Sequence, residues 1–524
     1  MRITRQRAFG VAAACLMAGA AWGQAPQSGT TYRITGVVVN GATRRPLAQV
    51  RVAIAADDGT SKETETNTSA DGRFAFENVP AGSWTLSAER KGFVRQTYGQ
   101  HAFFGAWASS VVTGPDGVSE NLTFRLDPPS VIKGKVTDER GEPVQGANMQ
   151  LLVQIPGSRK QFLVRRVVGT DDVGEYRIWD LPAVSCYLLA IVPIPMAEGG
   201  AESLGFAPQY YPNATDPRAA TAIQLKPGEE FTADFVLRRA RAASVTLQGD
   251  SGIRGGNGSE LLVLLSQGPQ GSEVSSNTLG PGQGRTFHNV PPGRYKLLIG
   301  DVRSTYATSR WIEVGPEDLT VKLPFADPPD VTAKVRVVDG DAGLLNSATL
   351  RLHVLSDAGN NTRPIQSDGT ARFPAMGAGR YMIGLESRRL YIKSVTARNA
   401  GVVDGLVELP ETGSVQLEIV AAGDGSHVKG KVRADGKPVS GALVVLAPRR
   451  ESANPDDYHG YQSDSDGSFA FDNIRPGEYL LFATNDWRLE YGNPAAIRPY
   501  LAAGKRVNAQ PNGSVDVEIE PLRP

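Results

Sequence analysis

The sequence predicts an all-β protein, a tandem array of about five small β-sandwich modules behind a secretory leader. Three observations carry this expectation. An eighteen-residue phrase is spelled twice, as DGRFAFENVPAGSWTLSA at 71–88 and as DGSFAFDNIRPGEYLLFA at 466–483. Looser copies lie between them, and aligned on Gly72, Gly174, Gly284, Gly369 and Gly467 they recur about every 85–110 residues, a domain-sized period. The 58 glycines and 35 prolines among 524 residues, with 40% hydrophobic residues, suit short strands joined by tight turns.

The first element is the leader. MRITRQR supplies three arginines, AFGVAAACLMAGAAW is apolar but short for a bilayer span, and Ala21-Trp22-Gly23 has small residues where a signal peptidase needs them. Cleavage is expected after Gly23. Cys15 suggests a lipoprotein site instead, but Ala12-Ala13-Ala14 lacks the large aliphatic residue such a site prefers. No second stretch of about twenty apolar residues follows, so no transmembrane helix is expected in the mature chain. Cys186 is then the one remaining cysteine and cannot form an internal disulfide. With 55 basic and 55 acidic residues, the chain offers no general cationic surface for nucleic acid.

Each part of the phrase has a mechanical role. Asp-Gly supplies the positive φ of a tight turn. Phe74-x-Phe76 and Phe469-x-Phe471 place two aromatics on one strand face. Asn-x-x-x-Gly is expected to turn the chain, and Trp84-x-Leu86 or Tyr479-x-Leu481 to return as a second inward-facing strand. Twelve residues after the aligned glycine stand Trp84, Cys186, Tyr381 and Tyr479, so Cys186 occupies a core slot. Before the phrase, ITGVVVNGATRRPLAQVRVAI, IKGKVTDERGEPVQGANMQLL and VKGKVRADGKPVSGALVVLA each read as strand, polar turn, proline and strand. After it, ENLTFRL, DFVLRR, LTVKL, VQLEIV and VDVEIE read as closing strands. Seven or so strands in about 100 residues make a sandwich.

The pattern G-x-V…G-x-P-v-x-G-A…DG-x-F-x-F-x-x-v-x-P-G-x-Y resembles the carboxypeptidase regulatory-like family, an accessory domain rather than a peptidase. The resemblance implies a transthyretin-like, or prealbumin-like, sandwich related to CnaB-type repeats, with no active site and no cofactor. It is carried by the units opening at Gly36, Gly134 and Gly430; in the third and fourth units SGIRGGNGSELLVLL and GDAGLLNSATLRLHVL replace the P-v-x-G-A element. The expected organisation is leader 1–23, linker 24–31, regulatory-like modules 32–127 and 128–239, divergent modules 240–325 and 326–424, and a regulatory-like module 425–524. Asp127-Pro128-Pro129 and Asp327-Pro328-Pro329 favour semi-rigid junctions. A monomeric, elongated array follows, roughly 170 Å long with five modules in line.

Motifs of chemistry are sparse. His101, His288, His353, His427 and His459 form no metal-binding spacing, and no metal is expected. Gly249-Asp250-Ser251-Gly252 matches a serine-protease tetrapeptide but lacks a histidine and carboxylate in any recognisable context. Asp464-Ser465-Asp466-Gly467 begins like a calcium loop, yet its twelfth position is Arg475 rather than glutamate. Lys133 and Lys135 sit where CnaB-type domains carry an isopeptide lysine, without a clear matching acid and asparagine. No catalytic residue is assigned, and the chain is expected not to be an enzyme.

Function is therefore sought in three long insertions, whose aromatics Phe104, Trp107, Tyr210, Tyr211, Trp487 and Tyr491 are candidate ligand contacts. Exposed, they would stack on sugar rings; buried, they would simply pack. Asp216-Pro217 and Asn493-Pro494 each read as the capped start of a short helix. The expected protein is exported to the periplasm, the cell surface or the medium, and binds a glycan or an envelope protein. A ligand-free structural spacer and a hydrolase hidden in the middle modules are the alternatives. The terminal VDVEIEPLRP carries no anchor or sortase-type tail.

Overall fold

The structure, a computed structural model, describes residues 30–523 apart from residue 60, segments 102–106, 155–156, 158–161, 194–203, 216–218, 250–259, 267–272, 280–284, 301–306, 324–328 and 355–359, and residues 375 and 377. The leader, Phe104, Ser251 and Asp216-Pro217 lie outside the described residues.

Among the described residues an opening strand takes the centre of a sheet five times. In the first module Thr31–Asn40 is flanked by Arg73–Pro80, antiparallel, and by the closing strand Leu122–Leu126, parallel. The same trio recurs around Ser130–Asp138, Ala243–Gln248, Asp330–Val338 and Ser426–Ala434. A second sheet faces each trio; in the first module it runs Thr64–Asn67, Arg51–Ala56, Gly82–Glu89 and then the short Gln96–Thr97. Alternation places Phe74, Phe76, Trp84, Leu86 and Phe124 between the two sheets. Trp84, Cys186, Tyr381 and Tyr479 are all buried, so the cysteine does fill the core slot.

Two details of the phrase differ from expectation. Its strands do not form a hairpin. Arg73–Pro80 and Gly82–Glu89 lie in opposite sheets, so the proline-glycine segment is a corner that carries the chain across the core. The asparagine is not a turn residue either: Asn78, Asp180, Asn289 and Asn473 have φ of 57°, 60°, 57° and 56°, each within a β-bulge where two residues face one residue of the opening strand. Asn and Asp tolerate this left-handed backbone better than other side chains. The short helix does form in the last insertion. Asn493 accepts a hydrogen bond from the Ala495 N–H, Pro494 starts Pro494–Leu501, and Tyr500 stacks on Phe482 at 5.0 Å.

The in-line rod is not what the structure shows. The second and third modules share a continuous core, in which Leu152, Leu189, Ile191 and Tyr210 join Val245, Phe287 and Tyr295, and Leu204–Phe206 pairs with Arg239–Arg241. The fourth and fifth are tied by the Asn512 N–H donating to the Asp424 carbonyl at 2.8 Å and by the Ala453 N–H donating to Asp404 at 3.3 Å. The first module then contacts the fifth, across 354 residues of sequence. Paired prolines stiffen a junction without making it straight, and apolar loop residues gain more by covering one another than by staying solvated.

The opening glycines allow the central strand to run close against its parallel neighbour. A Cβ on Gly430 would lie 1.7 Å from the Val517 carbonyl oxygen, and the equivalents on Gly134 and Gly36 would lie 2.0 and 2.4 Å from Ala233 and Leu122 carbonyls. Gly430→Ala is therefore expected to destabilise the fifth module by about 1–3 kcal/mol, as overpacking does. Denaturant unfolding of the whole protein, followed by fluorescence, checks it.

Candidate functional site

The candidate aromatics divide between two environments. Tyr210 is 1% exposed in the core shared by the second and third modules, and Tyr211 packs edge-on against Phe231 and Phe235 of the second. Tyr210 offers no open face for stacking, because the short strand Gln209–Tyr210 joins the sheet edge beside Leu189 inside that core, while Tyr211 is half-buried. Trp107, Trp487 and Tyr491 are brought together from opposite ends of the sequence. Trp107 meets Trp487 edge-to-face at 5.5 Å and Tyr491 at 6.3 Å, while His101 stacks flat on Trp487 at 4.6 Å.

This cluster caps the outer face of the fifth module's second sheet. Leu443, Val445, Ala447, Phe482, Ile497 and Tyr500 form a separate apolar layer there, and the three aromatics pack against it. The strand Leu443–Pro448 is consequently buried on both faces, which explains its unbroken LVVLA run. Polar contacts pin the edge. The Ser465 N–H donates to the Ser110 carbonyl at 2.9 Å, the Ser110 N–H to Asp464 Oδ1 at 2.9 Å, and the Val112 N–H to Ser465 Oγ at 2.9 Å. Ser109 Oγ donates to the Ser463 carbonyl at 2.8 Å, and Gln462 Nε2 to the Gly99 carbonyl at 2.6 Å. The second module joins at the same place, since the Gly492 N–H donates to the Gly157 carbonyl at 2.8 Å beside the Tyr491 ring.

The turn that resembles a calcium loop belongs to this clasp. Asp464 and Asp466 are 6% and 5% exposed; Asp466 pairs with Lys431 at 3.2 Å and accepts from the Ser468 N–H, while Tyr461 donates to Asp464 at 3.1 Å. Among the described residues no group of three or more His, Cys, Asp or Glu side chains is arranged to hold a metal ion. Burial pushes the Cys186 thiol up to about 12, as for an inert core cysteine. Lys133 makes an ion pair with Glu230 in which both side chains are 47% exposed. An open groove of about 410 Å³ on the first module is floored by Ala53, Ala55 and Ser87 and walled by Glu63, Arg95 and Gln96, with neither histidine nor cysteine in its lining. No helix among the described residues is long and apolar enough to cross a membrane.

One exposed aromatic is not among the candidates that the insertions offer. Trp179 is 61% exposed on the strand Glu175–Leu181 of the second module. The sequence does hold a signal for it: with the modules aligned on the Asp-Gly glycine, its position carries Glu77 in the first module and Asp472 in the fifth.

Burial pushes the Asp464 carboxyl up to about 6, against the opposing pull of the Ser110 N–H and the Tyr461 hydroxyl, and pushes His459 down to about 4. These act in opposite directions. An acid with a raised folded value weakens the fold near neutral pH, and that penalty fades as pH falls from about 6 toward 4. A histidine with a lowered folded value favours the fold above 6.5, and that advantage is lost as pH falls toward 4. Relative to wild type, Asp464→Asn is expected to lose stability on acidification across this interval and His459→Gln to gain it, each by on the order of 2 kcal/mol. Urea unfolding at a series of pH values checks both signs.

Residues 33–127 match the family model of the carboxypeptidase regulatory-like domain. No curated protein matches the chain. Solved structures similar to it include the Bacillus anthracis TIE protein, at 12% identity over 76% of this chain and 75% of that one, with a TM-score of 0.17. A streptococcal ancillary pilin is 14% identical over 56% of this chain and 98% of its own, with a TM-score of 0.18. The major pilin subunit BcpA of Bacillus cereus is 10% identical over 94% and 99%, with a TM-score of 0.14. Scores this low bear on neither arrangement nor function. The described residues thus form a tandem array of β-sandwich modules, and the first of them, residues 33–127, matches the carboxypeptidase regulatory-like domain.

Proposed function

We propose that this chain is an exported, non-catalytic binding protein of the cell envelope, one that holds several sandwich modules in a fixed relation and contacts a glycan or an envelope partner. The clasp between the first and fifth modules carries this reading. A spacer needs length, and a contact that folds the first module back onto the fifth gives length up. A binding scaffold needs surfaces held at constant angles, which is what a preorganised contact provides. The groups that would carry a hydrolase chemistry also have structural explanations. Cys186 fills a core slot and His101 stacks in the clasp. His427 pairs with Asp472 at 2.9 Å on an exposed bulge.

Three measurements test the reading. Fractionation is expected to recover the protein outside the cytoplasm, and the purified protein is expected to turn over neither peptide nor ester substrates. Turnover lost on Ser251→Ala would replace the proposal with a hydrolase. In small-angle scattering the wild type is expected to be more compact than a rod of roughly 170 Å. Trp107→Ala with Trp487→Ala is expected to increase the radius of gyration and to cost about 1–3 kcal/mol.

A further inference from the structure

The second module departs from its siblings at one surface position. In each bulge the first bulged residue faces a residue of the opening strand. In the first module that pair is Glu77 and Arg33, joined by two hydrogen bonds of 2.7 Å, and in the fifth it is Asp472 and His427 at 2.9 Å. In the second module Trp179 and Asp180 face Val131. The bulge itself does not call for an indole, since a solvated, hydrogen-bonded polar pair serves it in two other copies. Nor does the core: Tyr176, Ile178 and Leu181 fill it from the same strand, while Trp179 stays 61% exposed.

We propose that Trp179 is the stacking platform of a carbohydrate-binding site on the outer face of this sheet, taking the sugar rings of an uncharged polysaccharide. The proposal rests on the reading of the chain as a binding protein and names the ligand class and the residue. Three features point to this ligand. Glu175–Leu181 is an edge strand of its sheet, paired on one side with Ser130–Asp138. Beside the indole lie charges of both signs. Arg177 projects from the same face two residues away, Lys133 lies opposite it in register, and Glu230 pairs with Lys133 and approaches Arg177 at 3.9 Å. Arg166 and Asp180 approach to 3.8 Å. Each of these cations already has a carboxylate partner, so donors and acceptors are interleaved, which suits hydroxyl groups, whereas an anionic ligand would call for cations without such partners. The apolar area is also the right size, because one indole face matches one sugar ring. A protein partner would need about 1,200–2,000 Å² of contact around a larger apolar centre, and here the centre is ringed by solvated ions.

The test uses the whole protein with cellohexaose, chitohexaose and mannohexaose in titration calorimetry, with polygalacturonate as the acidic probe. Wild type is expected to bind at least one neutral hexaose with a change in tryptophan fluorescence. Trp179→Ala is expected to weaken that binding roughly tenfold or more, and Trp179→Phe to retain most of it, since a phenyl ring still stacks. The melting temperature of Trp179→Ala should stay near that of wild type, as for an exposed side chain. If Trp179→Ala binds the hexaose as well as wild type does, the site lies elsewhere; this inference falls and the binding reading stands. If wild type binds polygalacturonate alone, the assignment of an uncharged ligand is overturned. If wild type binds no saccharide but captures an envelope protein through a surface that Trp179→Ala abolishes, the carbohydrate assignment is overturned and the binding reading stands. Absence of any ligand would overturn both.

Discussion

Everything in each module is organised around the opening strand, which must accept an antiparallel neighbour on one side and a parallel one on the other. The parallel contact is the demanding one, because it joins the start of a module to its end. At Gly36, Gly134 and Gly430 the carbonyl of the closing strand comes so near that no side chain fits. The Asp-Gly glycines of the phrase and their equivalents meet the same constraint from the other edge: Gly72, Gly174, Gly369 and Gly467 take φ of 77–82°, and a Cβ on any of them would crowd a carbonyl of the opening strand. Glycine at these positions is thus a condition of sheet assembly, and the repeated phrase is the visible trace of it.

Above the modules a second level of order arises from their loops. The aromatic side chains that look in sequence like ligand contacts are used to join modules, through Tyr210 between the second and third and through Trp107, Trp487 and Tyr491 between the first and fifth. Their neighbours are mostly neutral hydrogen bonds from backbone and hydroxyl groups, with the buried Asp464 and Asp466 at the rim. Such a contact combines apolar burial with fixed register, which a purely greasy patch would leave free to slide.

Strand positions and core residues are legible in the sequence because alternation with period two is a local property. Phe74, Phe76, Phe469 and Phe471 declare themselves wherever the strand lies. Which sheet a strand joins is not local, so the corner at Pro80 to Gly82 reads in sequence like a hairpin. The aromatic loops fail to resolve for a related reason. Exposure of Trp107 depends on Trp487 and the layer beneath it, which stand far away in the chain. Trp179 is readable in principle, since sibling modules show that its position needs no apolar residue, but alternation alone registers only that it points outward.

The clasp also has a bearing on how the molecule comes into being. Ser109 and Ser463 meet across 354 positions, and Ser463 belongs to the fifth module. In the N-to-C order of synthesis every strand of the first module is made long before the fifth module exists, and until then Trp107 lacks its ring partners Trp487 and Tyr491. Such late-satisfied surface is where nascent multidomain chains are prone to mispair. The polar groups at Ser109, Ser110 and Gly99 that wait beside it make a misplaced greasy contact costly, so the seam itself helps to guard the chain until the fifth module arrives.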